Sequence, residues 1–470
     1  MTSIIFLGLV FTIFLLFFRK SRKVKPSKNL PPGETGWPIL GETLDYVRRP
    51  AEFIRDRMVR HSHDVFQTSL AGEKIAVFCG PLGNKFIYSN EDKFKPWLPH
   101  TFVKALSLKS IDRDIPSLKL FVEQLLNFLK LESLQQYVHV MDSKTRDHVE
   151  MYWVPYDEVK VQFLSKEFTF ELICLLSFNF HEIDQVKELA ERFNTLVKGL
   201  LSVPVNLPGT QYNRAMKASK AVRDKLIDLI RKKKLALLEN GMHNRDQEIQ
   251  DDLLTRVLRA SDKEGVAFED DELAGLILGV LFAGLYTSSS AITFVISHLA
   301  EYPHVYARVL QEQLAIAKSK RKGELLTWKD IQKMKYTWNV VCESMRLIPP
   351  APGGFREAIT DLSYAGFTIP KGWKVHWNFY STHKDPKYFP NPEKFEPSRF
   401  EATMQPNTFV PFGKGQHMCY GNEYARIKIL VFLHNVVTRF RLSKANPDEK
   451  LIYTPDPVSA EGLRIRLLPH

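Results

Sequence analysis

Residues 412–421, with the sequence FGKGQHMCYG, constrain this chain more than any other segment. The glycines of this turn allow positive φ and let the backbone come close to a flat ligand. Cys419 ends the turn, and the pattern of residues 422–436 predicts a helix directly after it. Backbone N–H groups beyond the cysteine, together with the helix N-terminus, stabilise a thiolate and donate hydrogen bonds to its sulfur. The pattern favours a metal-binding cysteine, and the alternative is a glycine turn with a buried cysteine.

The other cysteines provide no competing framework. The four cysteines of the chain are Cys79, Cys174, Cys342 and Cys419. They are far apart and contain no C-x-x-C pair, which excludes a disulfide scaffold and a zinc site. A single cysteine is by default a small buried hydrophobe. Cys419 is therefore distinguished only by its surroundings.

The composition is that of a globular protein with a large core, since 44 % of the 470 residues are hydrophobic and 25 % are charged. The 65 basic residues exceed the 53 acidic ones and give a net charge of +12. Such a charge favours an anionic membrane surface or an acidic partner protein. The basic residues are scattered and form no nucleic-acid-binding motif, so we expect no nucleic-acid partner.

The N-terminus predicts a membrane anchor. Residues 4–18 are almost all apolar and are followed by the basic run RKSRK at residues 19–23. With the first three residues they are just long enough to span a bilayer, and the positive charge after them places the rest of the chain in the cytosol. A cleaved signal peptide is the alternative, but no small-residue cleavage site follows. The segment LPPG at residues 30–33 is a stiff, non-helical spacer.

The remaining chain is predicted to be mainly α with a smaller β part. Two short strands, residues 64–68 and 74–78, flank a turn at Ala71-Gly72. Residues 117–344 have the periodicity of amphipathic helices with short polar breaks. After Pro349-Pro350 the pattern changes to strands and turns, and a final long helix follows Gly421. No linker divides this part, so the predicted organisation is an anchor (1–18), a basic and proline-rich linker (19–36) and a single domain (37–470).

The cysteine loop resembles the haem-binding loop of the cytochrome P-450 family, F-x-x-G-x-(basic)-x-C-x-G. Three further segments match motifs of that family in the same order and spacing: AGLYTS at 283–288, ESMR at 343–346 and PSRF at 397–400. An E-x-x-R pair alone is very common, but the four motifs together are specific. The resemblance runs from the predicted anchor to Pro469 and implies a cytochrome P-450 fold with an N-terminal membrane anchor helix.

The resemblance implies haem b as the cofactor, with Cys419 as the axial ligand of its iron. The other residues that it places around the haem are Phe412, Gly415, Gly421, Arg356 and His417. Among these, Arg356 corresponds to the family's strand arginine, which pairs with a haem propionate.

Further roles are implied for the other motifs. Thr287 corresponds to a catalytic hydroxyl that helps deliver protons to dioxygen. The alternative for Thr287 is a hydroxyl bonded to its own helix carbonyl four residues back. Glu343, Arg346 and Arg399 correspond to a structural set of buried charges that is costly to break singly.

Several segments narrow the resemblance to plant members that oxidise triterpenoids. These segments are LPPGETGWP at 30–38, LPGT at 207–210, FREA at 355–358 and AGFTIPKGW at 365–373, and their pattern is closest to β-amyrin 28-oxidases. The resemblance thus implies a monooxygenase that hydroxylates a lipophilic cyclic terpenoid, with electrons from NADPH through a cytochrome reductase. It also implies a single-pass protein of the endoplasmic reticulum membrane with a cytosolic catalytic domain. A taxane-like diterpenoid or a sterol is the alternative substrate.

Three positions depart from the family pattern. Tyr286 stands where an aspartate or glutamate relays protons, and a phenol with a pKa near 10 is a poor substitute. His417 replaces an arginine and lacks its permanently charged planar fork. Residues 117–126 lack the expected arginine and offer Lys119 instead. We therefore expect weaker haem retention or turnover than in typical relatives.

These departures leave other functions open. One is a haem-binding member of the family with weak monooxygenase activity. Another is a member that rearranges peroxides without a reductase, but such members lack the threonine and carry an insertion before the cysteine. The chain keeps Thr287 and an uninterrupted loop, which favours the monooxygenase. A membrane-anchored scaffold without activity would require the cysteine loop to be a coincidence.

Overall fold

The structure of the chain is a computed structural model. It describes residues 29–37, 40–108, 115–180, 182–200, 202, 204–240, 251–453 and 457–470. The predicted anchor at 1–18 and the first part of the predicted linker, residues 19–28, lie outside the described residues.

Helices predominate over strands in the described residues, which confirms the prediction of a mainly α protein with a smaller β part. The helices there are α1 Thr43–Arg48, α2 Pro50–Arg60, α3 Gly80–Ser89, α4 His100–Ala105, α5 Pro116–Phe128, α6 Leu131–Tyr152, α7 Val161–Phe178, α8 Ile183–Lys198, α9 Gln211–Asn240, α10 Leu253–Glu264, α11 Asp270–Glu301, α12 Pro303–Lys318, α13 Trp328–Lys333, α14 Lys335–Leu347, α15 Tyr380–His383 and α16 Asn422–Val437. The strands in the same ranges are β1 Val65–Leu70, β2 Glu73–Phe78, β3 Phe94–Pro96, β4 Glu158–Lys160, β5 Gly353–Ala358, β6 Leu362–Tyr364, β7 Phe367–Ile369, β8 Lys374–Asn378, β9 Phe440–Lys444, β10 Leu451–Tyr453, β11 Pro457–Ser459 and β12 Arg464–Pro469.

The first of two compact units comprises the described residues up to Trp97 together with Gly353–Thr382. It contains a five-stranded sheet in the order β1-β2-β8-β5-β3 and the separate hairpin β6-β7. Strands β1 and β2 pair antiparallel, and Ala71 and Gly72 turn between them with φ values of 53° and 82°. The predicted early hairpin is confirmed. Its inward side chains join the buried side chains of α1 and α2 in one apolar cluster.

The second unit comprises Leu98–Pro352 and His383–His470. Its core surrounds α11, which packs against α7, α9, α14 and α16. Among the described residues, α11 alone is long and apolar enough to cross a membrane. Since 56 % of its most apolar stretch is buried against protein, we assign α11 to the core of this unit. Two small sheets, β4-β12-β9 and β10-β11, complete the unit.

The helical pattern predicted for residues 117–344 is confirmed by α5 to α14, with the short strand β4 as an interruption. The final helix is also confirmed, because α16 begins at Asn422, directly after Gly421. The prediction of one catalytic domain over residues 37–470 stays a prediction.

One buried side chain in α16 carries a basic group into the apolar core. Lys428 is fully buried, and its Nζ donates to the carbonyl oxygen of Gly284 at 3.3 Å. In the part of the chain that the structure describes, no carboxylate forms an ion pair with it. Burial without a counter-charge lowers the pKa of Lys428 from 10.5 to about 7.

The lowered pKa of Lys428 makes the stability of the protein depend on pH. Between about pH 7 and about pH 10.5 the unfolded chain binds a proton at this lysine that the folded chain does not, so the free energy of unfolding rises with pH, by about 1.4 kcal/mol per pH unit. Below this range both states are protonated, and the penalty of burial is complete. We expect Lys428→Met to be more stable than the wild type at neutral pH, with a gap that shrinks as the pH rises. Denaturant unfolding of both proteins over this range measures the gap, and a gap that is independent of pH would contradict the assignment.

Candidate active site

The cysteine loop is shaped by its glycines and by its own backbone hydrogen bonds. Gly413 and Gly415 have φ values of 69° and 82°, a conformation that side chains disfavour. The N–H of Gly413 donates to the carbonyl of Val410 at 2.9 Å, and the N–H of Cys419 donates to the carbonyl of Phe412 at 2.8 Å. A short 3-10 turn, Gly415–His417, lies between them. The loop therefore closes on itself and presents Cys419 at the start of α16.

The sulfur of Cys419 differs from those of the other cysteines. Cys79, Cys174 and Cys342 are buried, and burial raises the pKa of each thiol. Cys419 is exposed. The surrounding protein still raises the pKa of its thiol by desolvation, while a hydrogen bond from the backbone N–H of Gly421 lowers it. A nearby cation would stabilise the deprotonated form of this thiol, and a bound metal ion supplies such a cation.

One face of α11 is open although most of the helix is buried. Ala283 and Thr287, one turn apart, are exposed, whereas Leu285 and Ser288 between and beyond them are buried. The Oγ1 of Thr287 donates to the carbonyl of Ala283 at 2.8 Å. This is the bond of the alternative interpretation, and it leaves the oxygen of Thr287 able to accept a hydrogen bond from the open side. The catalytic role of Thr287 stays a prediction.

Tyr286, which departs from the family pattern, is held by a neighbouring helix. Its hydroxyl donates to the Oδ1 of Asn194 in α8 at 2.7 Å. The amine of Lys166 lies 5.0 Å from the centre of its ring, and the ring also stacks near Phe193. The phenol is thus engaged in packing α8 against α11.

The structure brings Glu343, Arg346 and Arg399 together. The carboxylate of Glu343 and the guanidinium of Arg346 are fully buried and paired through two hydrogen bonds of 2.6 and 2.8 Å. The Nε of Arg399 lies 3.4 Å from the same carboxylate. The backbone N–H of Glu396 also donates to it, at 2.8 Å. The pairing fastens α14 to the segment that leads to the cysteine loop.

His383 extends this network to the loop, and no pattern in its local sequence pointed to it. Its carbonyl accepts a hydrogen bond from Arg346 at 2.8 Å, and its Nε2 accepts one from the N–H of Val410 at 3.2 Å. Burial, with a smaller effect of Arg346, lowers the pKa of His383 to about 3. The ring is therefore neutral and stays an acceptor at Nε2. Since Val410 in turn accepts from Gly413, a continuous chain of contacts joins the ion pair to the loop.

Three other predicted residues are placed as follows. Arg356 lies on β5 of the first unit, where it donates to the carbonyl of Phe355 at 2.7 Å. His417 ends the short turn before Cys419 and is half-buried. Lys119 lies on α5 with an exposed side chain. Their roles toward a haem stay predictions.

The donor set of this site fits a thiolate-ligated haem. Within the described ranges, no group of three or more histidine, cysteine or acidic side chains is placed to hold a bare metal ion. A single exposed thiol can supply one ligand, so a metal bound there needs a cofactor that brings the others. A Cβ added at Gly421 would meet only the sulfur of Cys419, at 4.0 Å, and the N–H of Gly421 stabilises that sulfur as a thiolate.

Comparison with known proteins agrees with this donor set. Residues 31–462 match the cytochrome P450 family. The chain is 47 % identical to a β-amyrin 6-β-monooxygenase of Solanum lycopersicum, over 98 % of this chain and 97 % of the relative. It is 46 % identical to a β-amyrin 28-monooxygenase of Kalopanax septemlobus, over 99 % and 97 %. A solved structure, the retinoic acid-bound cyanobacterial CYP120A1, matches with a TM-score of 0.82 and 29 % identity, over 94 % of this chain and 100 % of that one.

The chain therefore belongs to the cytochrome P450 family. It is a cytochrome P450 monooxygenase, a class that uses haem and electrons supplied by a redox partner. The family resemblance, the mainly helical fold and the assignment as an enzyme are confirmed.

The buried ion pair predicts a sharp difference between two glutamates. We expect Glu343→Gln to lower the free energy of unfolding by about 3–5 kcal/mol, because it leaves Arg346 buried without its counter-charge. Glu396→Gln is the matched control. Its half-exposed carboxylate lies 3.5 Å from Arg399, so its loss costs less than about 1 kcal/mol. Denaturant unfolding of the two variants measures both values, and equal losses would contradict a special role for the buried pair.

Proposed function

We propose that this cytochrome P450 hydroxylates a pentacyclic triterpenoid such as β-amyrin in plant specialised metabolism. The observation that carries the proposal is the identity of 47 % and 46 % to two plant enzymes named as β-amyrin monooxygenases, over nearly the full length of each. The names of these relatives differ in the carbon that is oxidised. Small changes in an apolar pocket can move the position of attack, so the proposal concerns the skeleton.

The open face of α11 supports an apolar substrate. Leu276, Gly279 and Val280 are half-buried and precede the exposed Ala283 and Thr287 at helical spacing. Such a face offers shape and few polar contacts to a rigid polycyclic molecule. A hydroxyl at its end, on Thr287, is the polar group next to the surface that would contact the substrate.

In the proposed site Cys419 would hold the haem iron through its sulfur, and Phe412, Gly415 and Gly421 would form the loop around that sulfur. When bound, haem supplies the iron that activates dioxygen for insertion into a C–H bond. Arg356 and His417 are proposed to hold the propionates, with Lys119 as a substitute for the missing helix arginine. His417 does so as a hydrogen-bond donor whose charge depends on pH.

We propose that Thr287 helps deliver protons where dioxygen would bind. The proton donor is either its own hydroxyl or a water molecule that the hydroxyl holds. Tyr286 is unsuited to that task, because its hydroxyl already donates to Asn194. Proton delivery in this chain therefore depends on the hydroxyl of Thr287 and on water. The 2.8 Å bond to the carbonyl of Ala283 orients this hydroxyl toward the backbone.

Electrons are proposed to come from NADPH through a cytochrome reductase on the same membrane. The protein is proposed to reside in the endoplasmic reticulum membrane through one N-terminal helix, with its catalytic part in the cytosol. The net charge of +12 supports docking of an acidic reductase surface. The exposed Lys414, in the same loop as Cys419, belongs to the basic side proposed for that docking.

Spectroscopy tests the proposed iron ligand. We expect the reduced, CO-bound protein to show the long-wavelength Soret band of thiolate-ligated haem. Cys419→Ser removes this band, because a hydroxyl does not replace a thiolate at iron. Cys79→Ala, which changes a buried cysteine, keeps it and serves as the control. Loss of the band in both variants, or in neither, would contradict the assignment of Cys419.

Turnover tests the proposed substrate and the role of Thr287. With reductase and NADPH, we expect β-amyrin to gain one oxygen atom, as measured by mass spectrometry. We expect Thr287→Ala to yield about a hundredfold less product per NADPH, with the remaining electrons reducing dioxygen to hydrogen peroxide, whereas Thr287→Ser retains most of the product. Oxidation of a taxane diterpenoid or a sterol, without oxidation of β-amyrin, would overturn the substrate assignment.

A further inference from the structure

Two side chains donate hydrogen bonds to consecutive carbonyls in the middle of α11. From the exposed face, Thr287 donates to the carbonyl of Ala283 at 2.8 Å. From the buried side, Lys428 donates to the carbonyl of Gly284 at 3.3 Å. In an α-helix these two carbonyls also accept the backbone N–H groups of Thr287 and Ser288. An added donor changes the tilt of such a carbonyl, and donors of this kind locally bend helices.

The position of Lys428 links this turn to the cysteine loop. Lys428 lies on α16, which begins at Asn422, three residues after Cys419. The same helix therefore begins next to the cysteine loop, and about two turns later its Lys428 donates to the carbonyl of Gly284. On the opposite side, the hydroxyl of Tyr286 attaches α8 to the same turn of α11 through Asn194. The turn that carries Thr287 is thus held from two sides.

Packing alone gives no reason for an amine at this place. Lys428 is fully buried, with the ring of Tyr424 4.5 Å from its Nζ. Among the described residues, no carboxylate forms an ion pair with Lys428. An apolar side chain of similar length would therefore avoid the cost of burying the amine. What the amine adds is one hydrogen-bond donor directed at Gly284. A side chain of alkyl groups cannot supply that donor.

We propose that Lys428 is a positioning residue, which holds the turn of α11 that carries Thr287 in place against α16 through its hydrogen bond to the carbonyl of Gly284. The consequence for catalysis rests on the proposed role of Thr287. The positioning itself concerns only α11 and α16. It is measured without substrate or turnover.

Hydrogen–deuterium exchange of the substrate-free holoenzyme tests the proposal. In K428M, we expect the amides of the α11 peptide spanning residues 281–290 to exchange about threefold to tenfold faster, which corresponds to the loss of one hydrogen bond of ordinary net strength. K428Q keeps an N–H donor without the titrating charge and is expected to restore part of the protection. Tyr424→Phe removes a buried hydroxyl beside Lys428 while leaving the amine, and it serves as the matched control with unchanged exchange.

The outcomes separate positioning from stability and from the proposed function. K428M is expected to be globally more stable at neutral pH, so faster exchange confined to α11, with exchange in α12 no faster than in the wild type, would support the proposal. Exchange in K428M that is no faster than in the wild type, or faster to the same extent in α12, would overturn it. If the α11 amides exchange faster and less product is formed per NADPH consumed, the link to Thr287 is supported. If the α11 amides exchange faster but the product formed per NADPH consumed is unchanged with every accepted substrate, the link to Thr287 is overturned. The positioning role then still stands.

Discussion

The buried pair of Glu343 and Arg346 is the contact on which the geometry of the site depends. Both side chains are fully removed from solvent, and such burial is tolerated only when each polar atom finds a partner. The partners come from the segment that begins at His383. The carbonyl of His383 accepts from Arg346, and the N–H of Glu396 and the guanidinium of Arg399 contact the carboxylate of Glu343. Meeting the hydrogen-bond requirements of one ion pair therefore places the whole segment that enters the cysteine loop. His383 then transmits this placement to Val410 through a neutral ring nitrogen.

Helix α11 serves the core and the site at the same time. Most of its faces are covered by α7, α9, α14 and α16, and only the face with Ala283 and Thr287 is left open. A Cβ at Gly284 would come within 2.5 Å of the side chain of Ile173, so glycine lets α7 approach closely there.

One departure from the family pattern, Tyr286, has a packing role in the folded protein. Tyr286, read as a poor proton relay, has its hydroxyl engaged by Asn194 and stabilises the contact between α8 and α11. Lys428 makes a second polar contact with the same turn of α11, a hydrogen bond to the carbonyl of Gly284. The turn of α11 that carries Thr287 is therefore contacted by the amine of Lys428 and, through Tyr286, by Asn194. In the proposed function, proton delivery is therefore assigned to the hydroxyl of Thr287, which lies on the exposed face of α11.

Sequence alone determined the features that depend on local spacing. Helical periodicity predicted the helices between residues 117 and 344, and the i, i+3 spacing of Glu343 and Arg346 placed both charges on one helical face. The glycines and the cysteine of residues 412–421 predicted a tight loop before a helix, as observed. Only the tertiary structure decided the partners of His383, Tyr286 and Lys428. Each partner lies on a segment distant in the chain, and burial and contacts across such distances come from packing, which leaves no periodic signal in the sequence.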